Sequence, residues 1–310
     1  MSASPPSFAR TDAAALRSAR VAGSVIGAHT WAWSADPIQV APLAVAALAY
    51  ARRARTLARR GRPVPARRQA WFYCGVAVVL VALVSPVDTV GERHLFYMHM
   101  AQHLLLGDIG PLLVVLGLGG PLLRPLLNLP GIGRLRALAH PLVALPLWIA
   151  NLYLWHTPAL YQAALRHDAV HALEHALFFA TGALMWAAVV EPLPGPVWFG
   201  NGWKAVYTLV VRTAGAILAN VFIWAGPIYT SYAAGEREWG ISATTDQTIG
   251  GAIMLIEGSV VTLLVFGWLF LRWTREAELR QRLIDAGSDD AAAARAARYG
   301  RSALARRGAN

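Results

Sequence analysis

His94-Leu-Phe-Tyr-Met-His99-Met-Ala-Gln-His103 sets the reading of this chain, together with its counterpart His167-Asp-Ala-Val-His171-Ala-Leu-Glu-His175. Residues four apart lie above one another on a helix, so His99/His103, His167/His171 and His171/His175 can each present two imidazoles to one point. That is metal-site geometry, and neutral imidazole suits copper, zinc, iron or nickel. An isolated histidine near a helix end is ordinarily a polar residue with backbone or water partners. Two ladders in one chain favour a shared site, because chance would scatter the spacing.

The setting of these ladders is apolar. Of 310 residues 56% are hydrophobic and 15% charged, with twelve tryptophans and a mean hydropathy of +0.43. Soluble domains carry about 25% charged residues, so the balance is that of a membrane protein. Lys204 is the only lysine, and the formal charge of +11 is carried by arginines gathered in blocks between apolar runs. These read as topology signals, and no nucleic-acid partner is expected. Cys74 stands alone, which excludes an internal disulfide and leaves histidine, methionine and carboxylate to bind any metal. Residues 1–36 lack the apolar core and small-residue cleavage site of a secretory signal.

A spanning helix needs about 20 mostly apolar residues. Seven stretches qualify, at 37–55, 70–86, 94–116, 139–155, 169–190, 203–225 and 248–273, and the first requires Arg52 and Arg53 to snorkel. The expected fold is therefore an all-α bundle of seven transmembrane helices in residues 37–273, with a tail at 1–36 and a basic, partly disordered tail at 274–310. Arg52, Arg53, Arg55, Arg59, Arg60, Arg62, Arg67 and Arg68 fill one short loop; Arg124, Arg134 and Arg136 fill another. Basic loops stay cytoplasmic, which places the N-terminus outside and the C-terminus inside, although Arg10, Arg17 and Arg20 argue the other way. The lipid bilayer is the first expected partner, and the basic tail is suited to anionic headgroups.

This topology sorts the nine histidines: His140 falls at the inner face, and the other eight, from His29 to His175, fall at the outer one. Asp246, Gln247 and Met254 open helix seven at the same surface. Met254 adds a soft thioether suited to Cu(I), with gap-filling its ordinary role; Asp246 is placed to cap the helix or to orient a ligand imidazole. Deeper lie Asp108, Arg212 and Glu257. Intramembrane charges are costly unless paired, so Arg212 is expected to bond Asp108 or Glu257.

Three blocks then resemble a known family: His99-Met-Ala-Gln-His103 with Gly110-Pro111 and Gly117; His156-Thr-Pro with Tyr161, leading to His171 and His175; and Asp246-Gln247 with Gly250-Gly251. Together, across residues 31–273, they resemble the multi-span cytochrome c oxidase assembly factor family CtaG, distinct from the single-span, cysteine-bearing copper chaperone that shares the name. The resemblance implies a multi-pass protein of the bacterial plasma membrane that supports maturation of haem-copper oxidases and supplies copper to an oxidase subunit. It carries the family's histidines to His99, His103, His156, His171 and His175, with His94 and His167 at its margins. Leu255, where an aromatic is expected, and the carboxylate of Asp108 depart from the pattern.

The expected function is a non-enzymatic assembly factor that binds copper, Cu(I) or Cu(II), at an outward-facing site of His99, His103, His171 and His175. His94, His156, His167, Asp246 and Met254 are additional or supporting groups. Rival readings are a histidine-ligated di-iron or haem oxidoreductase and a metal-ion transporter, with zinc, iron or haem in place of copper. Imidazole protonation would weaken metal affinity as pH falls through about 6.5.

Overall fold

The computed structural model of the chain describes residues 31, 33, 37–129 and 136–300. The N-terminal arginines, His29 and Arg134 lie outside the described residues. Within them, regular structure is helical: α1 Pro37–Arg59, α2 Ala66–Val84, α3 Pro86–Arg93, α4 Phe96–Gly117, α5 Gly120–Leu127, α6 Pro141–Trp155, α7 Pro158–Ala164, α8 Asp168–Val190, α9 Asn201–Trp224, α10 Ala233–Trp239, α11 Ala243–Asp285 and α12 Asp290–Tyr299. Their starts follow local chemistry. Pro86, Pro141 and Pro158 stand at first helical positions, where a missing N–H costs nothing, and the Ser85 and Ser242 hydroxyls accept the exposed amides of Val87 and Thr245.

Five helices, α2, α4, α8, α9 and α11, are long and apolar enough to cross a membrane. The 15-residue α6 is apolar but short, bounded by Pro141 and the turn at His156, and α1 carries arginines through its last two turns. The polarity of the bundle is that of a membrane protein. His99, Gln102, Glu174, Lys204 and Asp246 are fully buried, whereas Leu263 is 73% and Trp224 82% exposed. An outward apolar surface of this kind faces lipid at little cost, and the polar groups need each other inside.

One departure from the sequence expectation matters. The helix expected from residue 94 starts at Phe96: Leu95 is extended, and His94 instead closes the short helix α3 in what was read as a loop. At the far end, α11 continues past Trp273 to Asp285, since no glycine or proline interrupts the run before Gly287, and α12 folds back onto it. Arg280 pairs with Asp290 at 2.8 Å, and Arg298, Lys204 and Arg272 converge on Glu191, with Lys204 Nζ 2.5 Å from its Oε2.

The core divides likewise. One end is aromatic, built from Phe96, Trp155, Tyr161, Phe222, Tyr229 and Tyr232; the other packs Trp186, Tyr207 and aliphatic residues of α8, α9 and α11. The aromatic end holds the histidines.

Candidate metal centre

Residues 99 and 103 lie on one face of α4, and 171, 174 and 175 share one face of α8, an i, i+3, i+4 set. The two faces meet. Ring centroids are 4.2 Å apart for His99 and His103, 4.0 Å for His171 and His175, 5.5 Å for His99 and His171, and 5.9 Å for His103 and His175. His156, at the end of α6, closes the group with its ring 5.7 Å from that of His103.

Between the pairs stands Glu174. Its side chain is fully buried, its Oε1 lies 3.6 Å from His103 Nε2, and its Oε2 lies 4.0 Å from His99 Nε2. These separations exceed hydrogen-bond length. Neither carboxylate oxygen has a hydrogen-bond partner, nor has either ring nitrogen of His103, nor Nε2 of His99, His156, His171 or His175; the Gly91 backbone stands beside the His99 ring. Burying so many polar atoms unpaired costs about 1–3 kcal/mol each. A metal ion held at about 2.0–2.2 Å by imidazole nitrogen and carboxylate oxygen separates those two atoms by about 3–4 Å, which is the spacing found. The donor set fits a transition metal.

The surroundings fix the rings. His171 turns Nδ1 toward Glu92 at 3.4 Å and His156 turns Nδ1 toward the Leu152 carbonyl at 2.7 Å, leaving Nε2 of each for the site. The His171 ring beside Glu92 holds that carboxyl below the usual range. Gln102 donates to Asp88 at 2.6 Å and to the Ala82 carbonyl at 2.9 Å, tying α4 to α2 and α3; burial pushes the Asp88 carboxyl up to about 6. The backbones approach closely at Gly91, where a Cβ would stand 2.7 Å from the His99 amide nitrogen, so only glycine lets α3 lie against the ligand helix. Tyr161 and Tyr232 share a 2.7 Å hydrogen bond above the rings, and the Tyr229 hydroxyl donates to the His156 carbonyl at 2.7 Å.

The other expected residues take different positions. Asp246 is a cap, but for a remote helix: its carboxylate accepts from the Phe96 and Tyr97 amides at 2.8 and 3.0 Å, 150 and 149 residues away in sequence. It thereby sets the start of α4 and the height of His99. Gln247 accepts from the Ile228 amide and donates to carbonyls at the end of α9. His94 lies 3.3 Å from Glu238, and His167 is exposed at the start of α8; neither joins the cluster. Met254 packs against the aromatic core and lines a cavity of about 470 Å³ that also reaches His103, His156, Asp108, Arg212 and Glu257.

Below the rings, a π-helical turn at Leu105–Ile109 re-aims α4 so that Asp108 faces α8 and α9. Arg212 and Trp186 both donate to Asp108, the indole at 2.7 Å, and Arg212 also lies 3.6 Å from Glu257.

Glu174 was quoted within its motif but given no role by sequence reasoning. Its signal was available in the His171-x-x-Glu174-His175 spacing. Glu92, Asp88 and Gln102 gave no comparable signal, because only the fold brings them to the ligand helices.

Residues 48–276 match the family model for the cytochrome c oxidase caa3 assembly factor. The chain is also 25% identical over 273 residues to uncharacterized proteins of Mycobacterium bovis and Mycobacterium tuberculosis, covering 79% of this chain and 40% of theirs. An uncharacterized protein of Mycobacterium leprae is 23% identical over the same length. The chain thus spans about 40% of the length of the curated relatives it matches. No solved structure matches.

Proposed function

Because the chain belongs to the cytochrome c oxidase caa3 assembly factor family, we propose that it binds copper among His99, His103, His171 and His175 and passes it to an oxidase subunit in the same membrane. The observation that carries this reading is the set of buried, unpaired imidazole nitrogens around one unpaired carboxylate. His156 is the fifth imidazole of the same chamber. Copper is written here as cargo. Imidazole and carboxylate ligands exchange more readily than a thiolate cluster, and transfer needs exchange.

In the same proposal the protein crosses the bacterial plasma membrane seven times, α1 and α6 completing the five longer spans. The arginines of residues 52–68 lie inside and the histidine end faces out. The role is not enzymatic: it is capture and delivery.

Metal analysis and an absorption spectrum of the purified protein, compared with His99→Ala and His175→Ala, test this. Copper in the parent that is lost from both variants is the expected result. Copper content unchanged by both substitutions would remove the ligands from the site, and bound iron with a Soret band would move the protein to the haem oxidoreductases.

A further inference from the structure

The chamber contains two ligand triads. His99, His103 and Glu174 place one donor atom each within 4.8 Å of one another, and so do His171, His175 and Glu174; among the described residues these are the groups of three or more His, Cys, Asp or Glu that do so. Each triad is buried throughout, and they share one residue. Among the described residues no four of these groups bring a donor atom each within that reach, so the two histidine pairs are offered to separate points rather than to one.

We propose that the site holds two copper ions, one on each histidine pair, with the Glu174 carboxylate common to both. This rests on the copper-binding reading above. Both Glu174 oxygens are unpaired and buried; they lie 3.6 Å from His103 and 4.0 Å from His99, and the same carboxylate stands within 4.8 Å of the donors of His171 and His175. Charge favours the monovalent ion. Two Cu(I) bring two positive charges, matched by Glu174 and by Glu92 on Nδ1 of His171, whereas two Cu(II) would leave a surplus of two among buried side chains. The two pairs are also unequal: the α8 pair has the Glu92 carboxylate behind His171, whereas in the α4 pair His99 has only the neutral Gly91 backbone beside its ring and His103 has no hydrogen-bond partner. The α8 pair is therefore the tighter seat and the α4 pair the more readily surrendered one.

Anaerobic titration of the full-length protein in detergent with Cu(I) against a chelator of known affinity tests the count. Metal per chain is measured after desalting, and X-ray absorption reads the ligand shell. The expected result is two copper ions per chain in the parent and one in each of the double variants His99→Ala/His103→Ala and His171→Ala/His175→Ala. The ion left by the first should bind at least tenfold more tightly than the ion left by the second. Glu174→Gln, isosteric and suited to a variant that must still fold, should weaken both steps, with helical circular dichroism and elution volume unchanged. One copper per chain in the parent, abolished by either double variant, overturns the two-ion assignment and leaves the copper-binding reading standing. No copper in the parent overturns both.

Discussion

Asp108 and Glu174 are both buried carboxylates on the inner faces of apolar helices, less than two turns of chain from a histidine, and they are treated in opposite ways. Asp108 accepts from the guanidinium of Arg212 and from the indole of Trp186, so its charge is answered by the protein itself. Glu174 accepts from nothing, and the groups facing it are imidazoles with unpaired nitrogens. A carboxylate of the first kind holds helices together. One of the second kind is stabilised only when a proton or a cation arrives, so it marks where a ligand goes.

The comparison breaks most directly at Asp108. Asp108→Ala leaves the Arg212 guanidinium with the 3.6 Å contact to Glu257 and the face of Trp186, and should cost about 3 kcal/mol or more in thermal or denaturant unfolding, with copper content unchanged. Glu174→Gln should do the reverse, leaving apo stability equal or raised while copper affinity falls; loss of copper in the Asp108 variant would show that the two regions are not separate. Next in size is Glu92→Gln, which removes the charge that orients His171 and should lower copper affinity about 10–100-fold in a competition titration. Asp246→Ala frees the Phe96 and Tyr97 amides and should cost about 1–2 kcal/mol, read as a lowered unfolding midpoint that asparagine partly restores.

The smallest effect is in acid. Burial raises the Asp88 carboxyl from 3.8 to about 6, so the folded protein takes up a proton there that the unfolded chain does not. This contribution gains stability as pH falls from about 6 toward about 4, by an amount on the order of 1 kcal/mol, and Asp88→Asn should abolish the gain in a pH series of unfolding midpoints. Copper affinity should move the opposite way, falling in acid as protons compete with the metal for the imidazoles.

The histidine pairs were legible in the sequence because α-helical spacing alone places residues 99 and 103, or 171 and 175, on one face. The approach of the two faces is not local information. It depends on Gly91 letting α3 lie against His99 and on Asp246 fixing where α4 begins. His94 was drawn into the ladder because sequence carries no mark of that remote cap. The pairing of Arg212 with Asp108 followed from the cost of lone charges in lipid, yet the π-helical turn that aims Asp108 left no readable trace, since Leu-Leu-Gly-Asp-Ile is unremarkable helical sequence. Glu174 carries no mark of its own in the sequence, because a single acid on an apolar helix ordinarily pairs with a base.

That turn at Leu105–Ile109 has its own consequence. It inserts a phase step between the upper and lower halves of α4, so the imidazoles above and the carboxylate below are indexed separately, although one continuous helix carries both. Removing one residue from the turn would swing everything beneath it by about 100° and carry Asp108 away from its guanidinium, while His99 and His103 kept their bearing. Cargo binding and bundle cohesion can therefore drift independently across relatives, through nothing larger than a one-residue slip in this helix.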